Sequence, residues 1–444
     1  MVKPPIYDCV IIGGGVTGTA ALYTLARYTP LKRLLLVEKY AGMGWVASHK
    51  DNNSQTLHIG DIETNYTEPR AKRVKADADL TRGYLERHKE EALWTVKPKM
   101  VLAVGKQECD ELRARFKWVR DVYPGAKLLT RAQIAKLEPK VVEKRSKNVE
   151  ILGMQAADGF TVDFGRLCES FVRHAQSIEG KSVETILQGR TKRVVKRGKL
   201  FTVETEDGSF RAKTVIVAAG GESLLFAHRM GLGKDWILLP VAGSFYKARK
   251  VLNGKVYMMQ NPRLPFAALH GDPDVHDGRE TRFGPTARVL PMLERYHYRS
   301  FFDFLRLFRF RIDAILALFK IVADPTNLGF VIKNFLFDLP FIGRVLFLKE
   351  VRKIIPSLKY GDIQRARRVG GIRPQVVDVK TKTMSFGEAK IVGDGIVFDI
   401  TPSPGATVCL ANAAKNAAVV AKHLHVKFDE ERFRKEQAPL TKSS

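Results

Sequence analysis

Residues 13–18 read Gly-Gly-Gly-Val-Thr-Gly, and a glutamate stands at position 38. Gly13 permits a tight turn, Gly15 leaves the backbone bare where a pyrophosphate can approach, and Gly18 lets a following helix pack close to a strand. An acid about 20 residues further on, here Glu38, can accept hydrogen bonds from ribose hydroxyls. The chemistry these residues suit is the holding of a dinucleotide, its phosphates set against the N–H groups of Val16 and Thr17 at the positive end of a helix. A bare GxGxxG also occurs in ordinary βα turns. Here the flanking elements agree with it. Asp8 to Ile12 is a short apolar run of the buried parallel-strand type, Thr19 to Tyr28 reads as a helix, and Leu34 to Val37 is a second buried strand that ends at Glu38.

Later segments return to the same place. Lys213 to Val217 is a buried strand running into the small residues Ala218-Ala219-Gly220-Gly221, whose glycines let the backbone pass close to a nucleotide. Thr401-Pro402-Ser403-Pro404-Gly405-Ala406-Thr407 is a tight loop before an alanine-rich helix, Val408 to His423, and offers a second helix N-terminus. Ser48 to Tyr66 is long, polar and rich in amides, and reads as a loop lying over a ligand. A charged helix is expected between Arg70 and Trp94. Further helices are expected over Asp110–Tyr123, after Thr130 as N-cap, and through His174, followed by a β-meander from Ser182 to Ala212.

The chain has 444 residues, enough for two domains, and an ordinary 45% of hydrophobic residues, which argues against disorder. Cys9, Cys109, Cys168 and Cys409 are scattered without a CxxC pair, so neither a metal site nor a disulfide framework is expected. The N-terminus lacks the pattern of a signal peptide, and no apolar run reaches the ~18 residues of a spanning helix. The formal net charge of +27 suits an anionic membrane, nucleic acid or anionic substrate. It is spread along the chain with no nucleic-acid motif, so no nucleic-acid partner is expected.

Several blocks resemble the FAD-dependent malate:quinone oxidoreductases. They are Gly13 to Gly18 with Glu38, Asn53 to Tyr66, Leu239 to Tyr246, Val256 to Asp272, Thr281 to Ala287 and Thr401 to Thr407. The resemblance runs from about Tyr7 to His423. It implies an α/β chain of two domains, D-amino-acid oxidase or glutathione reductase-2-like. A Rossmann-like FAD-binding domain would be drawn from 1–90, 150–230 and 370–425. A β-rich substrate and membrane-contact domain would comprise 91–149 and 231–369, and 426–444 would be a basic tail. FAD contacts are expected at Gly13, Gly15, Val16, Thr17, Gly18, Glu38, Lys39, Ser54, Gln55, Thr56, Gly220, Pro404, Gly405, Ala406 and Thr407. The implied partners are (S)-malate, a quinone and an anionic membrane surface, with the enzyme peripheral on the cytoplasmic face of the inner membrane.

Oxidising a secondary alcohol needs a base for the hydroxyl proton and a hydride acceptor, here FAD. His270 is the preferred base, because Asp272 stands two residues on and can orient its ring. His58, in the loop expected over the flavin, is the other candidate. A dicarboxylate calls for arginine, whose fork pairs with carboxylate oxygens. Arg373, in Gly370-Gly371-Ile372-Arg373-Pro374, and Arg282, before Phe283-Gly284-Pro285, are the candidates, although either could be a surface residue.

Phe301, Leu305, Phe308, Ile312, Ile315, Phe319 and Val322 recur at spacings of three and four, which places them on one helical face, with Arg306, Arg309, Arg311 and Lys320 around it. Such a stripe belongs either to the core or to the interface of an anionic leaflet, and the latter is expected. The competing functions are an FAD-dependent oxidation of another 2-hydroxy acid (2-hydroxyglutarate or lactate), a nucleic-acid-associated flavoprotein, and a non-catalytic nucleotide-binding module.

Overall fold

A computed structural model describes residues 5–156, 159–260, 269–309, 311–385, 388–402 and 404–440. The first strand, β1 (Ile6–Ile12), is followed by helix α1 (Val16–Tyr28) and strand β2 (Arg33–Val37). Its last four residues are buried, as its apolar sequence requires. β1 pairs in parallel with β2 on one side and with Ser209–Val217 on the other. Ser182–Ile186 extends the sheet beyond β2, and Ile396–Ile400 beyond Ser209–Val217, both in parallel. α1 buries all but one of its residues, because the helices Phe164–Gln176 and Cys409–Leu424 flank it. The hairpin Thr191–Arg197 and Leu200–Thr205 hangs from the long strand Ser209–Val217, in which the end of the expected meander and the expected strand from Lys213 are one element.

An eight-stranded sheet forms the other layer. It runs from Ile363–Arg365 through Tyr246–Arg249, Glu280–Gly284, His270–Pro273, Lys255–Met258, Lys99–Val104 and Ile151–Gln155 to Lys127–Leu129. Its two faces differ in chemistry. Val256, Met258 and Phe283 look into an apolar core with Phe347 and Ile354. Lys255, Tyr257, His270, Asp272 and Arg282 occupy alternate positions and share the opposite face, with Tyr257 opposite His270 and Asp272 opposite Arg282. A four-stranded sheet pairs Trp236–Ala242 with Ile372–Asp378, placing Val241 opposite Arg373.

Three boundaries differ from expectation. Ile151–Gln155 pairs with Lys99–Val104, and Ile372–Asp378 with Trp236–Ala242, so both belong with the β-rich layer and not with the nucleotide-binding sheet. The segment expected as a basic tail forms the helix Glu430–Gln437. Phe433 of that helix is buried against Tyr28 at 5.2 Å, and Glu436 accepts from Arg27 and Tyr28. The apolar stripe from Phe301 is two helices, Ser300–Phe308 and Ile312–Ala323, broken where Arg309 takes φ +49°.

Candidate active site

A cavity of about 490 Å³ opens at the C-terminal ends of β1 and β2, where doubly wound sheets bind ligands. Gly13, Gly15, Val16 and Thr17 form one wall, Glu38 and Lys39 a second, and Gly220 with Pro404, Gly405, Ala406 and Thr407 a third. The glycines have distinct reasons. Gly13 sits at φ +109°, and a Cβ there would overlap Ala218 O. A Cβ on Gly18 would overlap Gly13 O, so Gly18 shapes the turn from beneath without lining the cavity. A Cβ on Gly15 would meet only Ser48 Oγ at 3.6 Å, and one on Gly220 nothing within 4 Å, so the room beside both belongs to the cavity. Gly15, the N-cap of α1, makes no side-chain cap bond, and Ser48 Oγ accepts the Val16 N–H at 3.0 Å. The positive helix end beside the bare backbone of Gly15 fits the pyrophosphate of FAD, with Ser48 in the same cavity wall.

Glu38 lies buried at the same wall, where its two oxygens accept the Gly14 N–H at 2.6 Å and the Tyr40 N–H at 2.8 Å. Burial pushes its carboxyl up, against these two bonds. Each oxygen keeps a lone pair for a ribose hydroxyl. Lys39 lines the cavity, yet its ammonium is taken by Glu222 at 2.7 Å and Glu294 at 2.6 Å. Its expected contact with the cofactor is therefore an indirect one, as a clasp between two cavity-wall acids.

The polar loop enters the same cavity. Ser54, Thr56 and His58 line the cavity. His58 Nδ1 lies 2.5 Å from Glu63 Oε1, and its Nε2 lies 3.1 Å from Ser54 Oγ. Burial works to raise the Glu63 carboxyl, but the bond to His58 and the charges of His58 and Lys99 outweigh it and hold it below the usual carboxylate value. An ionised Glu63 accepts the proton of Nδ1, which in the neutral ring leaves the lone pair on Nε2, where the Ser54 hydroxyl stands at 3.1 Å. The His58 N–H donates to Thr407 Oγ1 at 3.0 Å, joining this loop to the loop before the last long helix.

His270, Asp272 and Arg282 do not line the cavity. The sequence pairs them correctly. His270 Nε2 lies 3.0 Å from Asp272 Oδ2, and the charges of His270, Lys255 and Arg282 overcome burial to hold that carboxyl at about 2. The three nevertheless lie on the polar face of the large sheet, and the loop 50–56 is interposed. Lys255 Nζ donates to Ser54 O at 2.9 Å and to Thr56 Oγ1 at 2.7 Å, and Arg282 to Lys50 O at 3.3 Å. Tyr257 OH meets Thr56 Oγ1 at 2.7 Å and stacks on His270. The sheet thus supports the loop, and the loop presents His58. Gln55 is also turned away: at φ +53° its side chain bonds Lys50 O, Asp274 and the Val275 N–H inside the protein.

Arg373 lines the cavity, and burial lowers its pKa with no charged group acting on it. Among the described residues, no carboxylate reaches ion-pair distance of it. The same wall holds Phe245, from the Leu239 to Tyr246 block, and three residues that no motif announced: Arg295, Tyr296 and Arg368. Replacing Arg373 by methionine is expected to lower kcat/KM for a 2-hydroxy acid by about 100-fold, since a paired, charge-assisted contact is lost, while the flavin spectrum is unchanged. Steady-state rates at varied substrate check this.

Away from the cavity, His88, Glu91 and His174 have metal-ligand chemistry. The Glu91 carboxylate is already shared by Arg173 at 2.6 Å and His174 at 2.7 Å. The four cysteines are free and buried, and burial pushes the thiols of Cys9, Cys168 and Cys409 up to about 12.

Residues 8–415 match the family described as FAD dependent oxidoreductase (DAO). The chain is 42% identical to a probable malate:quinone oxidoreductase of Campylobacter jejuni, with 97% of this chain and 98% of the relative covered. It is 40% identical to a malate:quinone oxidoreductase of Helicobacter pylori, with 98% of each covered. Among solved structures, the L-alpha-glycerophosphate oxidase of Mycoplasma pneumoniae with FAD bound superposes with a TM-score of 0.64 at 17% identity, covering 94% of this chain and 95% of that one, which shows a shared fold.

Proposed function

The chain belongs to the malate:quinone oxidoreductases of the FAD-dependent oxidoreductase family, and from that premise we propose how it oxidises (S)-malate to oxaloacetate and passes the electrons to a quinone. One observation carries the reading: a histidine paired with an acid and an arginine that has no carboxylate partner among the described residues line the same cavity as the glycine turn. FAD, when bound there, supplies the hydride acceptor for C2 of malate and the donor to quinone.

The protein's own groups do the rest. Arg373 pairs with the C1 carboxylate and sets C2 in the cavity. His58 Nε2 takes the hydroxyl proton as the C–H bond breaks, and ionised Glu63 fixes the tautomer and stabilises the charged ring. Thr407, through the His58 N–H, and Lys255, through Ser54 and Thr56, hold the loop in place. Anaerobic addition of malate, lactate and 2-hydroxyglutarate while following flavin absorbance tests the reading. Malate is expected to bleach the flavin fastest, and a flavin that malate leaves oxidised overturns it.

The acceptor is lipid-soluble, and the surface suits a lipid partner. Ile312, Phe319 and Phe341 are 72%, 69% and 83% exposed, and Phe301, Leu305, Ile315, Ile332 and Phe335 also face outward. Phe308, by contrast, is buried. Most of the stripe is therefore not core, and Arg306, Arg309, Arg311 and Lys320 lie among it. Among the described residues no single helix is long and apolar enough to cross a membrane, and the pair Ile312–Ala323 and Pro325–Phe337 is bent by 81°. Short, bent, amphipathic helices with basic flanks suit a peripheral seat on an anionic leaflet, here the cytoplasmic face of the inner membrane. Vesicles containing anionic lipid are expected to sediment the protein at low salt and to release part of it at high salt. Equal sedimentation with neutral vesicles overturns the electrostatic part.

A further inference from the structure

Malate has two carboxylates, and Arg373 accounts for one. The second cation is built into the same wall. The strand Trp236–Ala242, which faces Arg373 through Val241, ends at Ala242. The next two residues grip an arginine from elsewhere in the chain. Arg295 donates through Nη1 to Gly243 O and through Nη2 to Ser244 Oγ at 2.6 Å. The Gly243 N–H in turn donates to Gly371 O at 3.0 Å, two residues before Arg373. Gly370, at φ +105°, admits the guanidinium, because a Cβ there would lie 2.5 Å from Arg295 Nη1. Both arginines line the cavity. Among the described residues, Arg295 has no ion pair. The nearby Asp338 is held by Arg288 at 3.1 Å and Arg365 at 2.9 Å.

We propose that Arg295 binds the C4 carboxylate of malate and so makes the enzyme select a four-carbon 2-hydroxy dicarboxylate over 2-hydroxy monocarboxylates. This rests on the malate reading above. The guanidinium keeps N–H groups beyond the two its loop partners use, and those two bonds preorganise it in the cavity that Arg373 also lines. A substrate lacking the distal carboxylate leaves this half-buried cation without an anion, which costs binding in the transition state. A longer diacid must bend to reach both cations.

The test compares kcat/KM for malate and for lactate. In Arg295→Met the malate-to-lactate ratio is expected to fall about 30-fold or more. In Arg373→Met both values fall together and the ratio holds. An unchanged ratio in flavin-loaded Arg295→Met overturns the proposal. If that variant releases its flavin, succinate and its monoamide are compared as inhibitors of the wild-type enzyme. Inhibition much stronger by succinate is expected, and equal inhibition overturns the proposal. A wild-type flavin that malate fails to reduce instead defeats the malate reading itself.

Discussion

Replacing His58 by alanine is expected to lower malate turnover by at least about 100-fold while FAD stays bound. General-base catalysis by a positioned imidazole is worth about 10²- to 10⁴-fold. The His58 ring touches Ser54 and Glu63, and not the glycine turn, so the variant should remain yellow. Glu63→Gln should lose part of the same factor, because the neutral amide no longer stabilises the protonated ring. His270→Ala is the informative control. His270 is 1% exposed, stacks on Tyr257 at 4.4 Å and sits behind loop 50–56, so its loss should lower thermal stability more than the chemical rate. Rapid-mixing measurement of flavin reduction separates these outcomes. Fast reduction in His58→Ala, or a collapse confined to His270→Ala, would reverse the assignment.

Gly13→Ala is expected to give a protein that does not retain FAD. An L residue at φ +109° costs about 1–2 kcal/mol, and the added methyl must displace the Ala218 carbonyl, an overpacking cost of about 1–3 kcal/mol. The two together weaken cofactor binding by about 100-fold or more. The site carries the strain directly, because Gly13 N donates to Val37 O and Ala218 N to Ile12 O, so this turn joins three strand ends. Fluorescence titration of the apoprotein with FAD measures the loss. Wild-type affinity in the variant would mean that the turn does not hold the pyrophosphate.

The reasons for what could and could not be read differ by residue. The glycine turn was legible because its chemistry is local: turn, bare backbone and helix start are all set within the six residues Gly13 to Gly18. His270 and Asp272 were legible as a pair, since positions i and i+2 of a strand share a face. What no spacing reveals is that Lys255 and Arg282 tie loop 50–56 across that face. Gln55 belongs to a polar loop, and which of its side chains point to a ligand depends on one left-handed residue, Gln55 itself. The stripe from Phe301 was legible as amphipathic, but its exposure depends on where the neighbouring layers end.

By itself the sequence determined that a nucleotide would lie on the first βαβ unit and that a long polar loop would meet it, and it offered arginines as candidates for the substrate's carboxylates. These follow from contacts between near neighbours. Only the tertiary structure decided that His58 and not His270 lines the cavity, that Arg282 stands over the Phe245 ring at 5.3 Å, and that Arg295 lines the same cavity as Arg373. Those placements come from the pairing of distant strands and from the loops that the strand ends hold. Side-chain direction across such pairs is a property of the packed fold.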